Sequence, residues 1–210
     1  MMNRAELALE RWQNMSVYER ELWRKGLVYV AGLDEAGRGP LAGPVAAAAV
    51  ILPAGCCMPG LNDSKKLTEA ARLRLEPLIK EQALSWAVAY VNHHVIDEIN
   101  ILEASRLAMM KALARLAIAP QHLLTDALRL PSPLPQNNII HGDSLSVSIA
   151  AASVLAKNHR DRVMVSLARI YPAYGFDKHK GYPTKEHRQI IAENGLTPIH
   201  RRSFRGCSHI

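Results

Sequence analysis

Three short apolar runs in this chain end on acidic residues and break at once into turn or helix-start residues. Asp34 and Glu35 close the run in VAGLDEAGRG, Asp126 closes HLLTDALRL, and Asp143 follows NIIHG. Apolar runs of about four to eight residues bounded by turn signals read as buried strands. Three such strands ending at one edge of a sheet would gather four carboxylates there, the oxygen-rich setting that hard divalent cations prefer. One pattern therefore constrains both the fold and the candidate site.

The segments between these runs alternate in period, which makes the chain an α/β protein. Residues 3–25 carry Leu and Trp at helical spacing with a break near Ser16. Leu27–Leu33 and Val45–Leu52 read as a hairpin pair around the turn Gly37-Arg38-Gly39-Pro40. Thr68 opens a helix running to Gln82 despite Pro77, and Ser85–Val91 is a further strand. Asp97–Ala119 is a long helical pattern closed by Pro120. His122–Thr125 and Asn138–Ile140 read as short buried strands. Ser144 is placed to cap a helix ending before Pro172, and Thr184–Asn194 is helical up to Gly195. The expected division is a helical extension over 1–26, a main α/β domain over 27–171 that carries the acidic residues, and a basic helical lobe over 172–210.

The formal charge of +7 and pI near 9.5 favour a polyanionic partner. The positive charge is concentrated late, in KNHRDR, DKHKGYPTKEHR and HRRSFR. Tyr174, Tyr182 and Phe204 are interleaved with these bases, as in a nucleic-acid groove. Cys56, Cys57 and Cys207 show no C-x-x-C spacing, which argues against a disulfide framework and a thiolate zinc site. No apolar stretch reaches membrane-spanning length, and a cytoplasmic location is expected. Gly37, Gly39 and Gly43 do not form a dinucleotide-binding loop: the third glycine is one position late, and a strand follows where a helix is needed. They do allow a nucleic-acid strand to approach the backbone closely. His179, His187, His200 and His209 lack zinc spacing and are expected on the surface or facing nucleic acid.

The blocks GLDEAGRGPLAGPV, NDSKKL, HGDSLSVSIAAASVLAK, DKHKGYPTKEH and PIHRRSF closely resemble ribonuclease HII, the bacterial type 2 ribonuclease H, over about Val28–Phe204. The resemblance implies a ribonuclease H-like fold, a mixed five-stranded sheet flanked by helices, with a small C-terminal helical lobe. It implies that Asp34, Glu35, Asp126 and Asp143 bind Mg²⁺ or Mn²⁺. It also implies that Gly37, Arg38 and Gly39 contact the phosphate and 2′-hydroxyl of the cleaved ribonucleotide. Lys65 would lie near substrate phosphates, Tyr182 would help recognise the RNA to DNA junction, and Asp161 would lie near the metals.

The implied activity is a monomeric endonuclease that cuts the RNA strand of RNA/DNA hybrids and acts 5′ to single ribonucleotides in duplex DNA. Its implied partners are those duplexes and, as a further class, a sliding clamp. A non-catalytic hybrid-binding module would break an acidic position, and all four are intact. A type 3 enzyme favouring long hybrids is the other alternative, against which the GRG turn and the tyrosine of HKGY stand. Two departures concern the site: Thr125-Asp126-Ala127 replaces the common Val-Asp-Gly, and His141 stands where lysine is common.

Overall fold

The computed structural model describes residues 3–207. In chain order the elements are α1 (Arg4–Met15), α2 (Val17–Arg24), β1 (Val30–Ala36), β2 (Val45–Ile51), α3 (Glu69–Gln82), β3 (Ser85–Val91), α4 (His93–Leu113), β4 (His122–Asp126), β5 (Gln136–Ile139), α5 (Gly142–Leu145), α6 (Val147–Ile170), a 3₁₀ turn at Pro172–Tyr174, α7 (Phe176–His179) and α8 (Lys185–Asn194). The strands form one mixed five-stranded sheet in the order β3-β2-β1-β4-β5. β1 and β2 pair antiparallel, as do β2 and β3; β4 and β5 join the other side in parallel. The expected α/β architecture, a mixed five-stranded sheet flanked by helices, is met.

β2 is buried along its whole length, because helices cover both faces of the sheet. On one face Ala47, Ala49 and Ile51 meet Ile96, Ala104 and Ala108 of α4. On the other, Ala48 and Val50 meet Ala151, Val154 and Leu155 of α6 together with Leu75 and Ile79 of α3. The alanines of VAAAAVI leave room for helix backbones on both sides at once. The closest approach is at Gly32 of β1, where an added Cβ would lie 2.1 Å from the carbonyl carbon of Ser148. Glycine there lets the start of α6 lie directly on β1, and this places α5 at the ends of β1 and β4.

Several boundaries differ from those read in sequence. β1 runs on to Ala36, because Asp34, Glu35 and Ala36 keep pairing with Ala48, Ala47 and Ala46 after the β4 partner has ended. α4 starts at His93, since Asn92 accepts from the Val95 amide as N-cap, and Asn100 interrupts it at φ 65°. The cap of α6 is Ser146, whose side chain accepts from the Ile149 amide, while Ser144 belongs to α5. β5 is an edge strand with exposed asparagines and not a buried one.

The segment that follows α6 folds back on its outer half. Met164, Tyr174, Phe176 and Ala42 form a small core there. Residues 37–44, which link β1 to β2, are strapped into the same region. Leu41 and Gly43 donate to the carbonyls of Gly181 and Ile199, and the Arg201 amide returns a bond to Leu41.

Candidate active site

Side chains alternate between the faces of a strand. Gly32 lies under α6, so Asp34 points to the α6 face, whereas Leu33 packs on the α4 side and Glu35 points that way. In β4, Leu124 packs with Ile149 of α6, so Asp126 also shares the α6 face. The parallel register carries Gly32 opposite Leu124, and two residues further on it brings Asp34 to Asp126. Asp143 arrives from the short α5. The Gly142 amide donates to Asp126 Oδ1 at 2.8 Å, and this bond sets the separation of the last two acids.

Asp34, Asp126 and Asp143 each present a carboxylate oxygen within 4.8 Å of the others. Burial first, and then the charges of Glu35 and Asp126, push the Asp34 carboxyl well above the usual carboxylate range. Asp143 is raised by burial and by Asp126, against the pull of Lys65. Such a hard-oxygen cluster under mutual repulsion fits a divalent cation, which would relieve the repulsion.

Glu35 stands apart from these three. Burial pushes it up to about 7 despite Arg38. One oxygen lies 3.6 Å from the Arg38 guanidinium, while the other is buried and has no hydrogen-bond partner among the described residues.

The remaining expected residues surround this cluster. Lys65 Nζ lies 3.3 Å from Asp143 Oδ2; burial lowers its pKa, but the charges of Asp143 and Asp34 raise it overall. Its loop is braced by Arg72, which donates to the carbonyls of Ser64 and Leu67. Asp161 is not in the three-carboxylate group. It accepts from Lys157 at 2.7 Å and from Arg72 at 3.4 Å, and so ties Arg72 to α6. Tyr182 is half-exposed and lies against Gly39, where an added Cβ would be 3.6 Å from the ring. Lys157 Nζ and Arg160 Cζ stand 5.6 and 5.8 Å from the same ring centre.

The chain matches the ribonuclease HII family over residues 31–207. A ribonuclease HII of Bacillus cereus strain Q1 is 54% identical over 200 residues, which span 95% of this chain and 78% of that protein. The chain belongs to the ribonuclease HII family. Among solved structures, the ribonuclease H2 of Pyrococcus horikoshii OT3 aligns with a TM-score of 0.70 at 26% identity, covering 85% of this chain and 95% of that one. The ribonuclease HII in a PCNA complex from Archaeoglobus fulgidus shares the fold at 24% identity with a TM-score of 0.68, over 84% of this chain and 95% of that one. Family membership makes the chain an endonuclease of the ribonuclease H type, acting on RNA/DNA hybrids.

Sequence reasoning misplaced two of the four histidines and overlooked several buried charges. His187 and His200 are buried, with their Nε2 atoms 3.1 Å apart, and do not face nucleic acid. His209 lies outside the described residues. Glu19, Arg160 and Arg201 are fully buried as well. Arg201 sits in the PIHRRSF block, whose length was the one available signal for it. No helix among the described residues is long and apolar enough to cross a membrane.

Proposed function

We propose that the chain cuts on the 5′ side of single ribonucleotides embedded in duplex DNA, as well as within longer RNA/DNA hybrids. The observation that carries this reading is the group of Asp34, Asp126 and Asp143 lying beside a glycine turn and the half-exposed Tyr182. The 2′-hydroxyl is the group that distinguishes one ribonucleotide within DNA. Reading it takes a backbone that can approach closely and an aromatic surface next to it, and Gly37-Arg38-Gly39 and Tyr182 supply both.

In this reading Asp34, Glu35, Asp126 and Asp143 would hold divalent ions, Mg²⁺ or Mn²⁺, with the unpartnered oxygen of Glu35 left free to join the three aspartates. Two such ions supply an activated water and positive charge on the leaving oxygen. Arg38 and Lys65 hold the phosphate, Tyr182 stacks at the junction, and the cut leaves a 3′-hydroxyl and a 5′-phosphate. We assign residues 27–171 to catalysis, 172–210 to gripping the duplex and 1–26 to a helical extension, in a cytoplasmic monomer active in ribonucleotide removal. The basic lobe makes affinity fall steeply with salt. A sliding clamp is a further proposed partner, supported by the clamp-bound structure that shares this fold.

The test is a cleavage assay on a DNA duplex carrying one ribonucleotide, run separately with Mg²⁺ and with Mn²⁺. Cutting 5′ to the ribonucleotide is expected with wild type, and none with Asp34→Asn at an unchanged or higher Tm. Efficient cutting of long hybrids without cutting of the single-ribonucleotide duplex would refute the reading.

A further inference from the structure

Two arginines behind the glycine turn have no carboxylate partner. Arg160 of α6 and Arg201 of the tail are both fully buried, and neither forms an ion pair among the described residues. Their donors go to backbone carbonyls. Arg201 Nε bonds the carbonyl of Gly43 at 2.9 Å, while its two terminal nitrogens bond Arg38 at 3.1 Å and Gly37 at 2.7 Å. Arg160 bonds Pro44 at 3.0 Å, Lys180 at 3.0 Å and Ala42 at 3.2 Å. Burial lowers both pKa values, to about 10 for Arg160 and, with the charge of Arg160 added, to about 9 for Arg201. Both remain cationic at neutral pH. Burying an uncompensated charge is costly, so an apolar side chain would fill this space with less penalty.

The geometry of a peptide plane says what this arrangement accomplishes. In a trans peptide the C=O of one residue and the N–H of the next point in opposite directions. Arg201 draws the carbonyls of Gly37 and Arg38 inward, so the amides of Arg38 and Gly39 must point away from it. Among the described residues neither amide has an acceptor. Arg160 also constrains this backbone. At Gly37, with φ 102°, an added Cβ would lie 2.0 Å from Arg160 Nε, and Arg160 also holds Lys180, two residues before Tyr182. A cation on a carbonyl oxygen polarises its peptide and makes the linked N–H a stronger donor.

We propose that Arg201 and Arg160 are positioning residues that aim the Arg38 and Gly39 amides at the 2′-hydroxyl and adjoining phosphate and set the distance to Tyr182. This rests on the single-ribonucleotide reading given above. Lysine in place of Arg201 keeps the charge, but it cannot hold three carbonyls in one plane as the rigid guanidinium fork does. The substitution therefore weakens the reading of ribose more than the grip on DNA.

The experiment uses the full chain and two duplexes that differ at one sugar, ribose in one and deoxyribose in the other. Affinities are measured by fluorescence anisotropy in EDTA, alongside cleavage by the wild type in Mg²⁺ or Mn²⁺. Arg201→Lys and Arg160→Lys are expected to reduce the preference for ribose by about threefold to tenfold, the worth of one or two hydrogen bonds. Affinity for the all-DNA duplex should change by less than about twofold, because the charge is retained. If wild type fails to cut the single-ribonucleotide duplex, the functional reading fails. If it cuts, the inference is overturned by a wild type without a ribose preference in binding, or by lysine variants that keep that preference. Equal weakening on both duplexes, or loss of the fold in both variants, overturns it too, since the arginines would then be purely structural.

Discussion

The Gly142 amide donates to Asp126 Oδ1 at 2.8 Å, so the turn that carries the fourth acid is tied directly to the third. The backbone on either side of this bond is left-handed at residues other than glycine: Ala127 has φ 55° and His141 φ 59°. Lys180, two residues before Tyr182, has φ 52°. Three of the four such residues in the described chain thus flank the acidic cluster or the tyrosine. Backbone strain of this kind persists where the surroundings impose it. Here the Ala127 amide is held by the Ile139 carbonyl at 3.0 Å.

Relief of that strain is the first expectation. An L-residue in the left-handed region costs about 1–2 kcal/mol, part of which glycine gives back as unfolded-chain entropy. Ala127→Gly should raise stability by about 0.5–1 kcal/mol in urea unfolding while leaving cleavage unchanged. A loss of stability would show that the turn is not strained at Ala127.

The acidic cluster makes a second expectation about pH. Glu35 titrates at about 7, above its ordinary 4.5. A raised carboxyl contributes stability that is fully present below pH 4.5 and lost as pH rises through 7. The ion-free protein is therefore increasingly strained by this cluster toward pH 8, and a divalent ion relieves that strain while releasing protons. Added Mn²⁺ should raise Tm more at pH 8 than at pH 6, as read by scanning calorimetry. Equal shifts at the two values would rule this out.

How far the site could be read from the sequence follows from which forces are local. The strand-end acids were legible because an apolar run closed by Asp is a short-range signal, and the register then brings Asp34 to Asp126 on one face. The end of β1 was not legible, since Asp34 and Glu35 stay in the strand only because Ala47 and Ala48 of β2 pair with them. Arg160 and Arg201 were hidden for a related reason. A buried arginine most of whose partners are carbonyls more than 100 residues away looks, in sequence, like one more surface base. The histidines misled in the same way: a polar side chain reads as exposed until the partners that satisfy it are known.

The N-terminal helices supply a third expectation. Glu19 of α2 is fully buried, accepting from the Ser146 hydroxyl at 2.5 Å and the Ser148 amide at 2.9 Å at the start of α6. Its other oxygen has no partner among the described residues. Burial raises its pKa against those hydrogen bonds. Its contribution is therefore fully present below pH 4.5 and declines as pH rises through the raised value. Glu19→Gln can keep both acceptor bonds without the charge, so its Tm should fall less than that of wild type as pH rises above 4.5. Parallel Tm profiles would show that ionisation of this carboxyl does not limit stability.

The buried histidine pair carries the opposite sign. The Tyr182 carbonyl can only accept, so His187 Nδ1 donates to it at 2.9 Å, and the Thr197 amide can only donate, so His200 Nδ1 accepts at 2.9 Å. His200 Nε2 then donates to His187 Nε2 at 3.1 Å, and both rings are neutral. Burial, followed by the neighbouring His187, lowers His200 to about 4. The unfolded chain takes up that proton near pH 6.5 and the folded chain only near 4, so this stability is intact above 6.5 and is lost as pH falls toward 4. His200→Gln should have a lower Tm than wild type at pH 7.5 but a shallower decline between pH 6.5 and pH 4.5. Because the pair ends on the Tyr182 carbonyl, the same variant should also weaken binding of a ribonucleotide-containing duplex at neutral pH. An unchanged acid slope would mean that His200 is not the group that titrates.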